Sequence, residues 1–140
     1  MATTLGSRSP VSEVPLPRRA AYWVATALAA VAFAVPGALN LARAPHIAHD
    51  MAQLGYPPYF MTILGTWKVL GAAAILLPRS PRLKEWAYAG MLFDLTGAAA
   101  SRAAVGDPVS LVLVPLAIAG VVALSWALRP EDRRLALLGA

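Results

Sequence analysis

The chain has 140 residues, 59% of them hydrophobic and 14% charged, with a net charge of +5 and no cysteine. A soluble domain carries about 25% charged residues, so this composition excludes an ordinary water-soluble globule. The absence of cysteine excludes a protein-borne disulfide relay and Cys-ligated zinc or iron–sulfur centres, and no basic face with interleaved aromatics is free to bind nucleic acid.

Residues 1–17 are Ser/Thr/Pro-rich and lack periodicity. With Arg18 and Arg19 they read as a flexible cytoplasmic tail, 1–19, ahead of a membrane domain over 20–130. Four apolar segments make up that domain. The first runs from Ala20 to Ala42 and is uncharged. The second, Pro58 to Leu77, contains only Lys68; the third, Trp86 to Ser101, only Asp94; the fourth, Val109 to Leu128, no charge. A bilayer core of ~30 Å takes about 20 helical residues. Three segments meet that length, and Lys84, Glu85 and Arg102 snorkel at the ends of the shorter third one. Ala/Leu-rich runs without period-2 alternation exclude strands. Pro36 and Pro115 are expected to kink the first and fourth spans.

The connections are equally readable. Pro78-Arg79-Ser80-Pro81-Arg82 is a tight turn that makes spans two and three an antiparallel hairpin, and Gly106-Asp107-Pro108 is the turn before span four. Between spans one and two, His46, His49, Asp50 and Gln53 share one helical face and Ile47, Met51 and Leu54 another, which describes a short amphipathic helix on the outer surface. His46, His49 and Asp50 have ligand-like spacing for a metal, but two His and one Asp on a single turn equally describe a hydrated face. Residues 131–140 form a C-terminal cytoplasmic tail. The fold expected is therefore an all-α membrane protein, an antiparallel four-helix transmembrane bundle with one short outer interfacial helix.

Orientation follows from counting. Nine basic residues (Arg8, Arg18, Arg19, Arg79, Arg82, Lys84, Arg129, Arg133 and Arg134) fall on the side of the termini, against Arg43 and Arg102 on the other. That bias places both termini in the cytoplasm of a multi-pass cell-membrane protein. Trp23, Trp86 and Trp126 suit an aromatic belt on the same side. A competing reading takes Arg18-Arg19, the apolar stretch from Val24 to Val35 and Ala42-Arg43-Ala44 as a cleaved signal peptide, although the stretch is long for such a region.

Lys68 and Asp94 carry the most information. Each is the only ionisable residue in its span, and the two are equidistant from Pro81 at the hairpin turn. Lys68 lies nine residues from Leu77, about 14 Å at helical rise and close to mid-membrane. An unpaired charge there costs at least ~2.5 kcal/mol, so an ion pair facing the bundle interior is expected. Gly65 and Gly71 beside Lys68, and Gly90, Gly97, Ala98 and Ser101 on the face of Asp94, let the helices approach closely. Such a pair either fixes helix register or forms a polar site. Glu85 lies nine residues before Asp94, on the opposite helix face, so the two form no dyad. It is a solvated acid at a helix N-terminus or a further acid–base group. Asn40, Ser101 and Arg102 are interfacial residues or the rim of an outer cavity. No phosphate-binding Gly loop, nucleophile elbow or zincin pattern is present, and no cofactor is implied.

Leu54-Gly55-Tyr56-Pro57, Leu64-Gly65-Thr66-Trp67-Lys68-Val69-Leu70-Gly71, Leu76-Leu77-Pro78 and Leu83-Lys84-Glu85-Trp86-Ala87-Tyr88-Ala89-Gly90 come in that order. They resemble the DoxX-like family of small four-span membrane proteins over about Tyr22 to Pro130. The resemblance implies that the first segment is a retained span. It also implies that the polar marks of the family fall on Lys68, Glu85 and Ser101. Many relatives have Ser-His at positions 101–102, whereas this chain has Ser101-Arg102, so any role of that histidine has no bearer here. The resemblance implies a link to membrane redox systems, as an accessory subunit of a quinol-oxidising or quinone-linked complex with a redox protein as partner. Related groups look like maturation or chaperone factors. The residues themselves leave two other classes open. One is a membrane-embedded enzyme doing isomerase, cyclase or epoxide-opening chemistry on a lipophilic small molecule at Lys68 and Asp94. The other is a carrier or binder of a small solute.

Overall fold

A computed structural model describes residues 16–130. Among the described residues the regular structure is five helices and no strand: α1 (Leu16–Leu41), α2 (Pro45–Gln53), α3 (Pro58–Leu76), α4 (Pro81–Ala104) and α5 (Val109–Ala127). Both expected tails fall largely outside these residues, although Leu16 to Arg19, assigned to the first tail, already belong to α1.

Proline sets where most helices begin. Pro45, Pro58 and Pro81 occupy the first turn of α2, α3 and α4, where the missing N–H costs nothing and the fixed φ suits the helix. Glycine sets two of the ends. Gly55 and Gly106 both take φ near +80°. Around them Tyr56 N–H donates to Met51 O (2.9 Å) and Asp107 N–H to Arg102 O (3.0 Å), the closing bonds of left-handed C-terminal caps. Helices α1 and α5 continue through Pro36 and Pro115 without a break.

Helix α4 extends beyond the sixteen-residue segment expected, to 24 residues or about 36 Å. It starts at the Pro81 turn and absorbs Lys84 and Glu85, so its length is no longer short for a bilayer. Three helices, α1, α3 and α5, are both long and apolar enough to cross a membrane. In α4 the length suffices, while its charged residues make it less apolar.

The four long helices close a ring. Helix α1 packs against α3 and α5, α4 packs against α5 and α3, and α2 lies against α3. Apolar residues also cover the outside. Val24, Leu28, Val31 and Val35 form an outward stripe on α1, each more than half exposed. A stripe of that kind is expensive against water and natural against lipid, and with the three apolar helices it identifies an all-α membrane protein. Inside, Phe33, Ile75, Tyr88, Met91, Leu95 and Val122 bring α1, α3, α4 and α5 onto one core.

Small residues decide how closely α1 and α3 approach. A Cβ built on Gly65 lies 2.8 Å from Gly37 O and 2.9 Å from Leu41 Cγ, and one on Gly37 lies 3.0 Å from Lys68 Cβ. Backbone therefore touches backbone at this crossing, and Lys68 stands directly beside it.

Candidate functional site

Lys68 stands one residue from the middle of α3, and Asp94 is within two residues of the middle of α4. The hairpin between the two helices brings them to the same level. Lys68 Nζ lies 3.6 Å from Asp94 Oδ2, and each side chain is 17% exposed. The partial exposure matters. The pair is not sealed in the core, where the sequence places it. It forms part of the wall of a groove between α3 and α4.

The groove holds about 450 Å³. Leu64, Leu70, Ala74, Ala87, Met91 and Phe33 supply apolar lining, and Gly71 and Gly90 supply bare backbone. Trp67, Trp86 and Leu83 line it while remaining 69%, 79% and 47% exposed, so it opens sideways rather than toward an end of the bundle. Apart from the two indole N–H groups, Lys68 and Asp94 provide all the polar side-chain atoms of the lining. A cation and an anion held at one level can donate to and accept from the same small molecule, which is the equipment of general acid–base chemistry.

Glu85 does not join this pair. It belongs to a second cluster, at the end of the bundle where α4 starts and α5 stops. Arg129 Nη2 donates to Glu85 Oε1 (2.5 Å), and Trp126 Nε1 donates to Oε2 (2.9 Å). Arg129 is 2% exposed and lies over the Tyr88 ring at 5.1 Å and the Trp126 ring at 5.5 Å. Deeper in the same region the Ser125 hydroxyl is shared by Thr26 and Tyr88, each at 2.8 Å. The sequence reading missed this buried network. Its elements are single hydroxyl residues in apolar helices, and none has periodic neighbours to mark it.

Lys84 is also relocated. The sequence reading has it snorkelling to the interface; it is instead fully buried and donates to Ile75 O in the last turn of α3. The final carbonyls of a helix lack intrahelical partners, and no basic residue lies in the last turn of α3 to meet them. Lys84 reaches back across the turn to do so.

At the opposite end, Arg102 bonds Asp107 at 2.8 Å and Asp50 at 3.3 Å, and Tyr56 shares a hydrogen bond of 2.6 Å with Ser101. These contacts fasten α2 and its following loop to the end of α4. Asn40 stays apart from them. It is 2% exposed against Gly65, and its amide donates to Pro36 O (2.8 Å). His46 and His49 are exposed on α2. With Asp50 turned to Arg102, no group of three metal-ligating side chains gathers among the described residues.

A sequence model described as the DoxX-like family matches residues 24–127. No curated protein and no solved structure matches the chain.

Proposed function

The chain belongs to the DoxX-like family, and from that premise we propose that this integral membrane protein binds a lipophilic small molecule in the α3–α4 groove and performs acid–base chemistry on it at Lys68 and Asp94. The observation that carries the reading is an ion pair at mid-helix in the wall of an apolar, sideways-open groove. Ionisable residues at that depth are costly, and a pair serving only as glue gains nothing from standing beside an open cavity. Lys68 donates to an oxygen of the ligand while Asp94 accepts a proton from the same molecule. Isomerisation, cyclisation and epoxide opening all use such a donor and acceptor together.

We further infer four spans, α1, α3, α4 and α5, with both termini on the cytoplasmic side of the cell membrane. The nine-to-two distribution of basic residues supports this orientation. The bonds of Ser125 to Thr26 and Tyr88 join the C-terminal part of α5 to α1 and to the N-terminal third of α4, which supports antiparallel spans with both termini on one side.

A second reading uses the same groove. A quinone is a lipophilic ring with carbonyl acceptors, and an accessory subunit of a redox or quinone-linked system would hold one at the pair without turning it over. Trp67 and Trp86 offer exposed ring faces for stacking there. A carrier of water-soluble solutes is less well supported, because the lining has no polar route beyond the pair.

Mass spectrometry of lipophilic molecules retained by the purified protein tests the proposal. Wild-type protein is expected to retain such a molecule, and Lys68→Met, Asp94→Asn and Gly90→Leu to lose it. Equal retention by all four would overturn the reading. Turnover by the isolated protein separates the enzyme from the accessory subunit, which instead co-purifies with a redox partner.

A further inference from the structure

We infer that the groove selects a neutral molecule, with a hydroxyl or carbonyl oxygen at the Lys68–Asp94 end and an apolar body running toward Leu83 and Trp86. This rests on the binding reading above and narrows it to a ligand class.

Charge makes the first part of the case. Lys68 and Asp94 sum to zero, and no other lining residue is ionisable. A cationic or anionic ligand would leave a net charge in an apolar cavity, where desolvation is severe. A neutral oxygen brings no such cost. The 3.6 Å separation exceeds the roughly 2.7–2.9 Å of a charge-assisted hydrogen bond, so the two groups are matched without being saturated. The ammonium has three donors and the carboxylate about four acceptor sites. A hydroxyl accepts from the first and donates to the second; a carbonyl accepts from the first.

Shape makes the second part. Leu83 and Asp94 are eleven residues apart on α4, about 16 Å along the helix. Between them the α4 side of the groove is Trp86, Ala87, Gly90 and Met91, so the oxygen is recognised at one end and the body only by apolar surface. Gly90 keeps the middle open. A Cβ built there meets no protein atom within 4 Å. The exposure of Leu83 and Trp86 gives the apolar body a sideways entrance from the surrounding lipid.

Three probes of one chain length test the inference: dodecanol, dodecylammonium and dodecanoate. Each is offered separately to the full chain in lipid nanodiscs, and retention is read by native mass spectrometry. Wild type is expected to retain dodecanol at least about tenfold better than either ion. Asp94→Asn leaves a lone cation and should shift preference to dodecanoate; Lys68→Met leaves a lone anion and should shift it to dodecylammonium. In Gly90→Leu the Cβ meets no neighbouring atom within 4 Å and the rest of the side chain takes up groove volume, so the variant should keep the wild-type unfolding midpoint and lose all three probes. That variant keeps the test independent of the charge changes. Wild type that retains either ion as well as dodecanol overturns the neutral class while leaving the binding site standing. Wild type that retains no probe, and no lipophilic molecule on purification, removes the binding reading itself. Dodecanol retention unaffected by Gly90→Leu places the molecule elsewhere and also overturns the inference.

Discussion

Arg129 donates to Glu85 across 2.5 Å and so ties the end of α5 to the second turn of α4. Glu85 Oε2 also accepts from Trp126 Nε1 at 2.9 Å, so one carboxylate fastens two residues at the end of α5. Hydrogen bonds to a charged group contribute about 1.5–3 kcal/mol. Glu85→Gln keeps the shape and removes the charge, so it should lower the unfolding midpoint in detergent at neutral pH by the equivalent of roughly 1–3 kcal/mol. A midpoint equal to that of the wild type would show that the pair contributes nothing.

The glycines at positions 65 and 90 answer to different constraints. At Gly65 a Cβ would stand 2.8 Å from the Gly37 carbonyl, so α1 and α3 must separate to admit it. Gly65→Ala is expected to cost roughly 1–3 kcal/mol, the range for overpacking a tight interface. At Gly90 a Cβ meets nothing, and Gly90→Ala should be neutral or stabilise by up to about 1 kcal/mol through helix propensity. Thermal unfolding of the two variants side by side checks the contrast. Equal effects would mean that the α1–α3 crossing is looser than this geometry.

What the sequence made legible, and what it did not, follows from the same physics. Lipid demands long unbroken apolar helices, so the long helices were visible, but the start of α4 at Pro81 was not, because the charges from Arg82 to Glu85 hide it behind an apolar run that begins at Trp86. The meeting of Lys68 with Asp94 was visible because each charge is alone in its segment and equally far from the turn. The groove beside them was not, since a sideways opening depends on how tightly α3 seats on α4. Lys84 was misread because Arg82 and Glu85 beside it look interfacial. Its burial comes from the open carbonyls at the end of α3. The Thr26–Ser125 bond joins residues 99 positions apart. A lone Thr in an apolar helix can equally satisfy itself on its own turn, as Thr66 and Thr96 do. No local pattern separates the two cases.

The absence of native cysteine makes topology directly measurable. Ser80 lies in the α3–α4 turn, and Gln53 is an exposed residue at the end of α2. With single cysteines introduced at these two positions, a membrane-impermeant thiol reagent applied to intact cells should label Gln53→Cys and spare Ser80→Cys until the cells are opened. Labelling of both before lysis, or of Ser80→Cys alone, would overturn the proposed orientation.

The Lys68–Asp94 pair can hold helices together, hold a ligand, or do both, and a double-mutant cycle separates these. Lys68→Met leaves Asp94 as a lone charge near the middle of its helix, and Asp94→Asn does the same to Lys68. Insertion scales set the cost of one such charge at roughly 2.5–3.5 kcal/mol, reduced here by the partial exposure of both side chains. The combined variant leaves no charge, so it should unfold at a higher temperature than either single one, with a coupling of about 1–3 kcal/mol. Stability alone would be recovered whichever role the pair has. Ligand retention measured on the same samples decides the matter. If the pair only fixes the helices, the double variant regains stability and keeps the lipophilic molecule. If the pair recognises the ligand, stability returns and retention does not, because neither Met nor Asn restores a cation facing an anion across the groove.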